Sequence, residues 1–208
     1  MKERFNVTNK KALLCRFHVQ TGGSTLTAQQ TQNNIVRTTI QAMSAILGGA
    51  QSLHTNAYDE ALALPTDHSA KIALRTQQII AHETGIPDYV DPLGNSEQIE
   101  ILTQKIIEET SSIIDQVDNL GGAVKAIEKG WIQNEIAKSA YSFQREIDNK
   151  KQIIIGLNKF TEDENIDPNL QKIDSLAVEK QIDQVKKLKN KRDKTKITRI
   201  FFIRPLQM

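Results

Sequence analysis

Apolar positions in the first third of the chain alternate between short runs and one helical stretch. Residues 12–19 (ALLCRFHV) predict a short buried strand that runs into the turn signal Gly22-Gly23-Ser24. Asn33 or Asn34 can cap a helix whose apolar positions, Val36, Ile40, Met43 and Leu47, are spaced four, three and four apart and so share one face. Gly48-Gly49 ends that helix, and residues 51–55 (QSLHT) predict a second short strand. Strand, helix, strand in this order is the βαβ pattern of a parallel sheet. Beyond Pro65, residues 69–83 predict a long helix bearing Ile72, Ile79 and Ile80, stopped by Gly85 and Pro87, with a loop over 88–95.

The remainder reads as helical. Residues 101–117 carry Leu102, Ile106, Ile113 and Val117 on one stripe, and Gly121-Gly122 breaks the pattern. A short helix over 123–128 and a longer one over 131–147, with Ile132, Ile136, Ala140, Phe143 and Ile147 in register, lead to a strand-like run at 151–156 (KQIIIG). The acidic stretch TEDENIDPN reads as a linker, and residues 176–193 as a charged amphipathic helix with Val178, Ile182, Val185 and Leu188. From Ile200 the character changes abruptly. Two strands with their helices cannot close a parallel barrel and leave two sheet edges unpaired, so the pattern suggests an incomplete α/β domain.

Composition narrows the class. In 208 residues, 38% are hydrophobic and 25% charged, an ordinary globular balance, and the net charge is +2. Such a balance predicts neither nucleic acid nor an acidic membrane as partner. The lysines and arginines crowded between Lys186 and Arg199 continue an amphipathic helix and read as a solvated face, although they are the one feature that would support a nucleic-acid-binding reading. The single cysteine, Cys15, permits no intrachain disulfide, sits on an apolar run, and reads as a buried small hydrophobe in a reducing compartment. No apolar run approaches a membrane span or a signal segment, which predicts a cytoplasmic protein.

The candidate chemistry lies where the two predicted strands end. His18 and Gln20 are two apart and share a strand face, just before a glycine pair that allows close approach to the backbone. The second strand also ends in polar groups, His54, Thr55, Asn56, Asp59 and Glu60, although Asn56 or Asp59 can equally be a helix cap. Polar side chains at the C-terminal ends of parallel strands are where α/β folds place ligand contacts. A buried strand whose polar groups are satisfied by neighbours explains the same pattern. The four histidines, His18, His54, His68 and His82, lack metal-ligand spacing, His68 and His82 read as surface residues, and no phosphate loop or dinucleotide fingerprint is present.

Several long stretches resemble one family. RFHVQTGGSTLTAQQ, NNIVRTTIQAMSAILGGAQSLHTNAYDEALALPT, ALRTQQII, GIPDYVDPLG, GGAVKAIEKGWIQNEIAKSAYSFQREI and IIIGLNKF are similar to the large, catalytic subunit of the methylmalonyl-CoA mutase family, from about Met1 to about Asp193. The resemblance implies a (β/α)8 barrel that threads an acyl-CoA along its axis and opens toward adenosylcobalamin, whose radical chemistry rearranges the carbon skeleton. It places the last two strand–helix units of the barrel within residues 1–98, a helical post-barrel segment at 99–160, and a charged linker and helix with an atypical tail at 161–208. By position, it makes His18 and Gln51 substrate contacts and Gln20, Glu60 and Ala61 cobalamin contacts, with no catalytic residue and no metal ligand. Ser24 departs from the tryptophan that several relatives carry there, residues 95–98 depart from the family pattern, and the tail after Ile197 matches nothing in it. The earlier strands and the cobalt-ligating Asp-x-His-x-x-Gly motif are not in the sequence; Asp67-His68 lacks that spacing. The expected partners are an acyl-CoA and the remaining barrel with a cobalamin-binding domain or subunit. The expected activity of this piece alone is nil. The alternatives are a non-catalytic helical interaction module or the remnant of a broken gene.

Overall fold

In the computed structural model, the described residues are 2–163 and 170–193. They form a helix-dominated α/β arrangement: α1 (Lys2–Phe5), β1 (His18–Gln20), α2 (Asn33–Leu47), β2 (Ser52–His54), α3 (Asp67–Glu83), α4 (Glu97–Asn119), α5 (Ala123–Glu128), α6 (Trp131–Asp148) and α7 (Ser175–Lys191). Two compact units are distinguished, residues up to 170 and residues from 171.

The βαβ expectation holds. β1 and β2 pair in parallel, with His18 opposite Ser52, Val19 opposite Leu53 and Gln20 opposite His54. β2 lies within its predicted range of 51–55, whereas β1 is much shorter than the predicted 12–19. The apolar run at 12–19 forms a strand only at its end, because Asn9 accepts a hydrogen bond from Lys11 N–H and nucleates a 3₁₀ turn over Lys10–Leu13. Leu13, Leu14 and Phe17 are exposed, and so is Cys15, contrary to the buried placement expected for both the run and the thiol. The strand-like run at 151–156 is likewise a turn. Asn158 accepts from Ile154 N–H and donates to the carbonyls of Ile147 and Gln152, which folds the segment back on itself. Gly156 adopts φ +82° and is buried against the Gln30 side chain, a position where any Cβ meets both the left-handed penalty and a clash.

The helices lie close to their predicted places. Thr66 caps α3 by accepting from Ser69 N–H, starting it two residues early. α4 begins at Glu97, four residues before its apolar stripe, with Glu97 and Glu100 in the first turn where the helix dipole favours negative charge.

Burial reverses one expectation. The apolar stripe of α2 is not its buried face: Val36 and Ile40 are 59% and 55% exposed, whereas Asn34, Thr38 and Ala42 are buried. α4 and α6 have no fully buried residue; the isoleucines of α4 and Ile136 of α6 are exposed, while Ile132 and Ile147 are half-buried. Among the described residues, the large buried aliphatic side chains are Leu26 and Ile80; the rest of the interior is alanine, threonine, serine, asparagine and aspartate.

α7 is described by itself. Asp174 caps it by accepting from Leu176 N–H, and its Val178, Ile182, Val185 and Leu188 are exposed. Parts of the acidic linker, of the basic C-terminal run and of the helix expected to reach 193, and all of the tail from Ile200, lie outside either the described residues or the observed helix.

Candidate functional site

A parallel register places partnered residues on the same side of the sheet. Val19 and Leu53 are half-buried, while His18, Gln20, Ser52 and His54 are exposed on the other face. That face is entirely polar. His18 Nδ1 lies 2.7 Å from Ser52 Oγ, and Gln20 Nε2 donates to Asn56 Oδ1 at 3.0 Å.

Beyond the strand ends, a buried polar network holds the loops in place. Asn56 N–H donates to Thr21 Oγ1, and Thr21 N–H to the His54 carbonyl. Thr55 Oγ1 donates to the Ala73 carbonyl, while Gln77 Nε2 reaches both the Leu53 carbonyl and Thr55 Oγ1, so α3 grips β2 from behind. Asn34 accepts from Thr27 N–H and Arg37 Nη1 and donates to the Thr27 and Tyr58 carbonyls, joining the loop after β1 to the loop after β2. Arg37 extends the tie to the Ile155 carbonyl, and Gln30 to that of Phe160.

The predicted site residues separate into two places. Gln20 and Glu60 come together: a Cβ on Gly23 would stand 2.9 Å from Asn56 Nδ2 and 3.7 Å from Glu60 Oε1, so the glycine leaves room in front of both. Ala61 follows on the same turn and is exposed. Gln51 stands at the opposite, N-terminal end of the strands, where its Oε1 accepts from Phe17 N–H and its Nε2 donates to the Gly49 carbonyl. Its amide is thus committed to the backbone. His18 occupies the layer between these two ends. His68 and His82, on α3, are exposed as expected.

Sequence reasoning gave Asn56 no site role beyond a rim group or a cap. The parity of Ser52, His54 and Asn56 was the available signal, since residues at i, i+2 and i+4 line one face. Asn56 is 2% exposed, and its Nδ2 has no hydrogen-bond partner among the described residues; Asp59 Oδ1, also buried, has none either. Unpaired buried donors and acceptors are uncommon and costly. Among the described residues, no cluster of three or more His, Cys, Asp or Glu side chains is placed to hold a metal ion, and no helix is long and apolar enough to cross a membrane.

An open groove of about 580 Å³ runs along the outer edge of β1, lined by Val19, Gln20, Thr21 and Gly22 on one side and Ile40, Gln41, Ser44 and Ala45 of α2 on the other. Gln41 braces its upper end, accepting from Gly22 N–H and donating to Thr25 Oγ1.

Comparison with known proteins decides the family. Residues 1–202 match the family described as methylmalonyl-CoA mutase. The chain belongs to the methylmalonyl-CoA mutase family. It is 44% identical over 198 residues to the 2-hydroxyisobutanoyl-CoA mutase large subunit of Aquincola tertiaricarbonis, an alignment covering 95% of this chain and 35% of that one. It is 44% identical over 194 residues to mitochondrial methylmalonyl-CoA mutase of Mus musculus (93% and 26%), and 41% identical over 196 residues to methylmalonyl-CoA mutase of Rhizobium meliloti strain 1021 (94% and 28%). The chain therefore spans between a quarter and about a third of the length of these relatives. The mutases of this family are isomerases acting on acyl-CoA thioesters. The resemblance read from the sequence is borne out, and the match to residue 202 carries it past Ile197, where the tail was read as unrelated.

Proposed function

We propose that this chain supplies the last two strand–helix units of an acyl-CoA mutase barrel (residues 1–98), a helical segment that follows the barrel (99–160), and a charged linker and helix (161–208). It forms part of the surface that holds an acyl-CoA and adenosylcobalamin, and turnover requires the rest of the barrel and a cobalamin-binding domain or subunit. The observation that carries this reading is the bare polar face of a parallel sheet whose outer strand edge borders an unfilled groove. A sheet of two strands is marginal by itself, and one exposing His18, Gln20, Ser52 and His54 has no apolar reason to be covered by protein alone. A barrel threaded by a polar ligand accounts for both features.

The cofactor fits the residues present. Asn56 Nδ2 is a buried donor without an acceptor among the described residues, Glu60 offers a carboxylate beside it, and Gly23 keeps the approach open. Amide and hydroxyl groups at the edge of adenosylcobalamin complement such donors and acceptors. When bound, the cofactor supplies the radical that starts the rearrangement. Gln20, Glu60 and Ala61 would line its side, His18 would meet the acyl-CoA from the layer below, and Gln51 would act near the far end, by the CoA portion.

A visible-absorbance titration of adenosylcobalamin into the folded chain tests this reading. Saturable binding is expected, with Gln20→Ala or Glu60→Ala weakening it about tenfold, as loss of one hydrogen bond worth about 1.4 kcal/mol would do. A well-folded chain that binds no cobalamin removes the claim that these residues form a half-site.

A further inference from the structure

We propose that the imidazole of His54 is a further ligand contact of the strand-end site, hydrogen-bonding a hydroxyl or amide of the cofactor held beside Gln20. The inference rests on the mutase reading above, to which it adds a residue. Three observations support it.

His54 is opposite Gln20 in the parallel register, so the two side chains leave the sheet on the same face and in the same layer. His18 and Ser52 form the layer beneath, two residues or about 7 Å toward the start of the strands. Of the four residues on this face, His18 is paired with Ser52 and Gln20 with Asn56, whereas the His54 side chain has no hydrogen-bond partner among the described residues. Its backbone carbonyl is fixed by Thr21 N–H, and the neighbouring Thr55 and Asn56 are buried and bonded, so the imidazole stands on a rigid base.

The chemistry follows from that placement. A neutral imidazole is one donor and one acceptor. While the face is open, water satisfies both. When a ligand covers the face, an imidazole left without a partner weakens binding, so a bound group must complement it. Hydroxyl and amide groups each offer both functions, and Gln20 beside it presents the same pair. His82 provides the contrast: it too is exposed, but it lies in the last turn of α3 and on neither strand.

The experiment is an adenosylcobalamin titration of the full 208-residue chain, comparing wild type with His54→Ala, His54→Gln and His82→Ala, each checked for fold by circular dichroism. His54→Ala is expected to weaken binding about tenfold, His54→Gln much less, since it keeps a donor and an acceptor, and His82→Ala not at all. The imidazole carbon-bound proton signal of His54, followed by NMR in the wild type, is expected to shift as cobalamin saturates. That second readout needs no destabilising variant. Wild-type binding that Gln20→Ala weakens, with His54→Ala unchanged or the His54 signal unmoved at saturation, overturns the role of His54 and leaves the mutase site standing. Failure of the folded wild-type chain to bind overturns both.

Discussion

Asn34→Ala is expected to destabilise the first unit by about 3–5 kcal/mol, a large fraction of the stability of an ordinary domain. The residue is 0% exposed and makes hydrogen bonds in four directions, to Thr27 N–H, the Thr27 carbonyl, the Tyr58 carbonyl and Arg37. Alanine removes all of them and provides no route for water. Three backbone groups then lie without partners, each at about 1–3 kcal/mol. Arg37 keeps its bonds to Thr27 Oγ1 and the Ile155 carbonyl, so part of the tie survives, and the sum is held below the simple total. Urea denaturation followed by circular dichroism measures the loss. A change under about 1 kcal/mol would mean the loops after β1 and β2 are held by something other than this amide.

The second large effect is Ile80→Ala, expected to cost about 2–4 kcal/mol. Ile80 is 3% exposed on α3, and few other large aliphatic side chains are buried in the described part of the molecule. A sparse core has no spare contacts with which to collapse around the cavity. Ile113→Ala on α4, where the isoleucine is 53% exposed, serves as the comparison and should stay within about 0.5 kcal/mol. The same denaturation experiment decides it. Equal effects of the two substitutions would show that α4 packs in solution against something that this chain provides.

Contrasting these substitutions shows where the sequence was legible. Helix positions were readable because their signals are local: Thr66 caps α3, and the Gly121-Gly122 pair separates α4 from α5. The order of strand, helix and strand was readable for the same reason. Which face of α2 is buried was not. Hydrophobicity favoured Val36, Ile40 and Met43, but the side facing the loops and α3 carries Asn34, Thr38 and Ala42. Asn34 was readable only as a cap, whereas it spends its amide on carbonyls in two different loops, one of them 24 residues away. No window along the chain contains that information. The runs at 12–19 and 151–156 were misread because an apolar stretch becomes a strand only if another strand lies beside it, and Asn9 and Asn158 fold these stretches into turns instead.

The candidate site was half legible. His18, Gln20 and Glu60 were picked out from strand-end polarity, and the structure sets His18 and Gln20 on one sheet face, with Gln20 and Glu60 both near Asn56. Gln51 matched the family pattern equally well, yet its amide is held by Phe17 and Gly49. Asn56 was readable only as a rim group or a cap, because an asparagine after a strand looks like either, and its burial and its Nδ2, unpaired among the described residues, set it apart.

The sheet register also carries a consequence in time. His18 and Ser52 are 34 positions apart, so pairing the strands closes a long loop before any ladder bond compensates its entropy. α2 lies inside that loop and shortens it, since a helix advances about 1.5 Å per residue against about 3.3 Å for extended chain. The helix is therefore expected to form before the sheet during folding. The polar surface where the two strand ends meet can assemble only after that loop has closed.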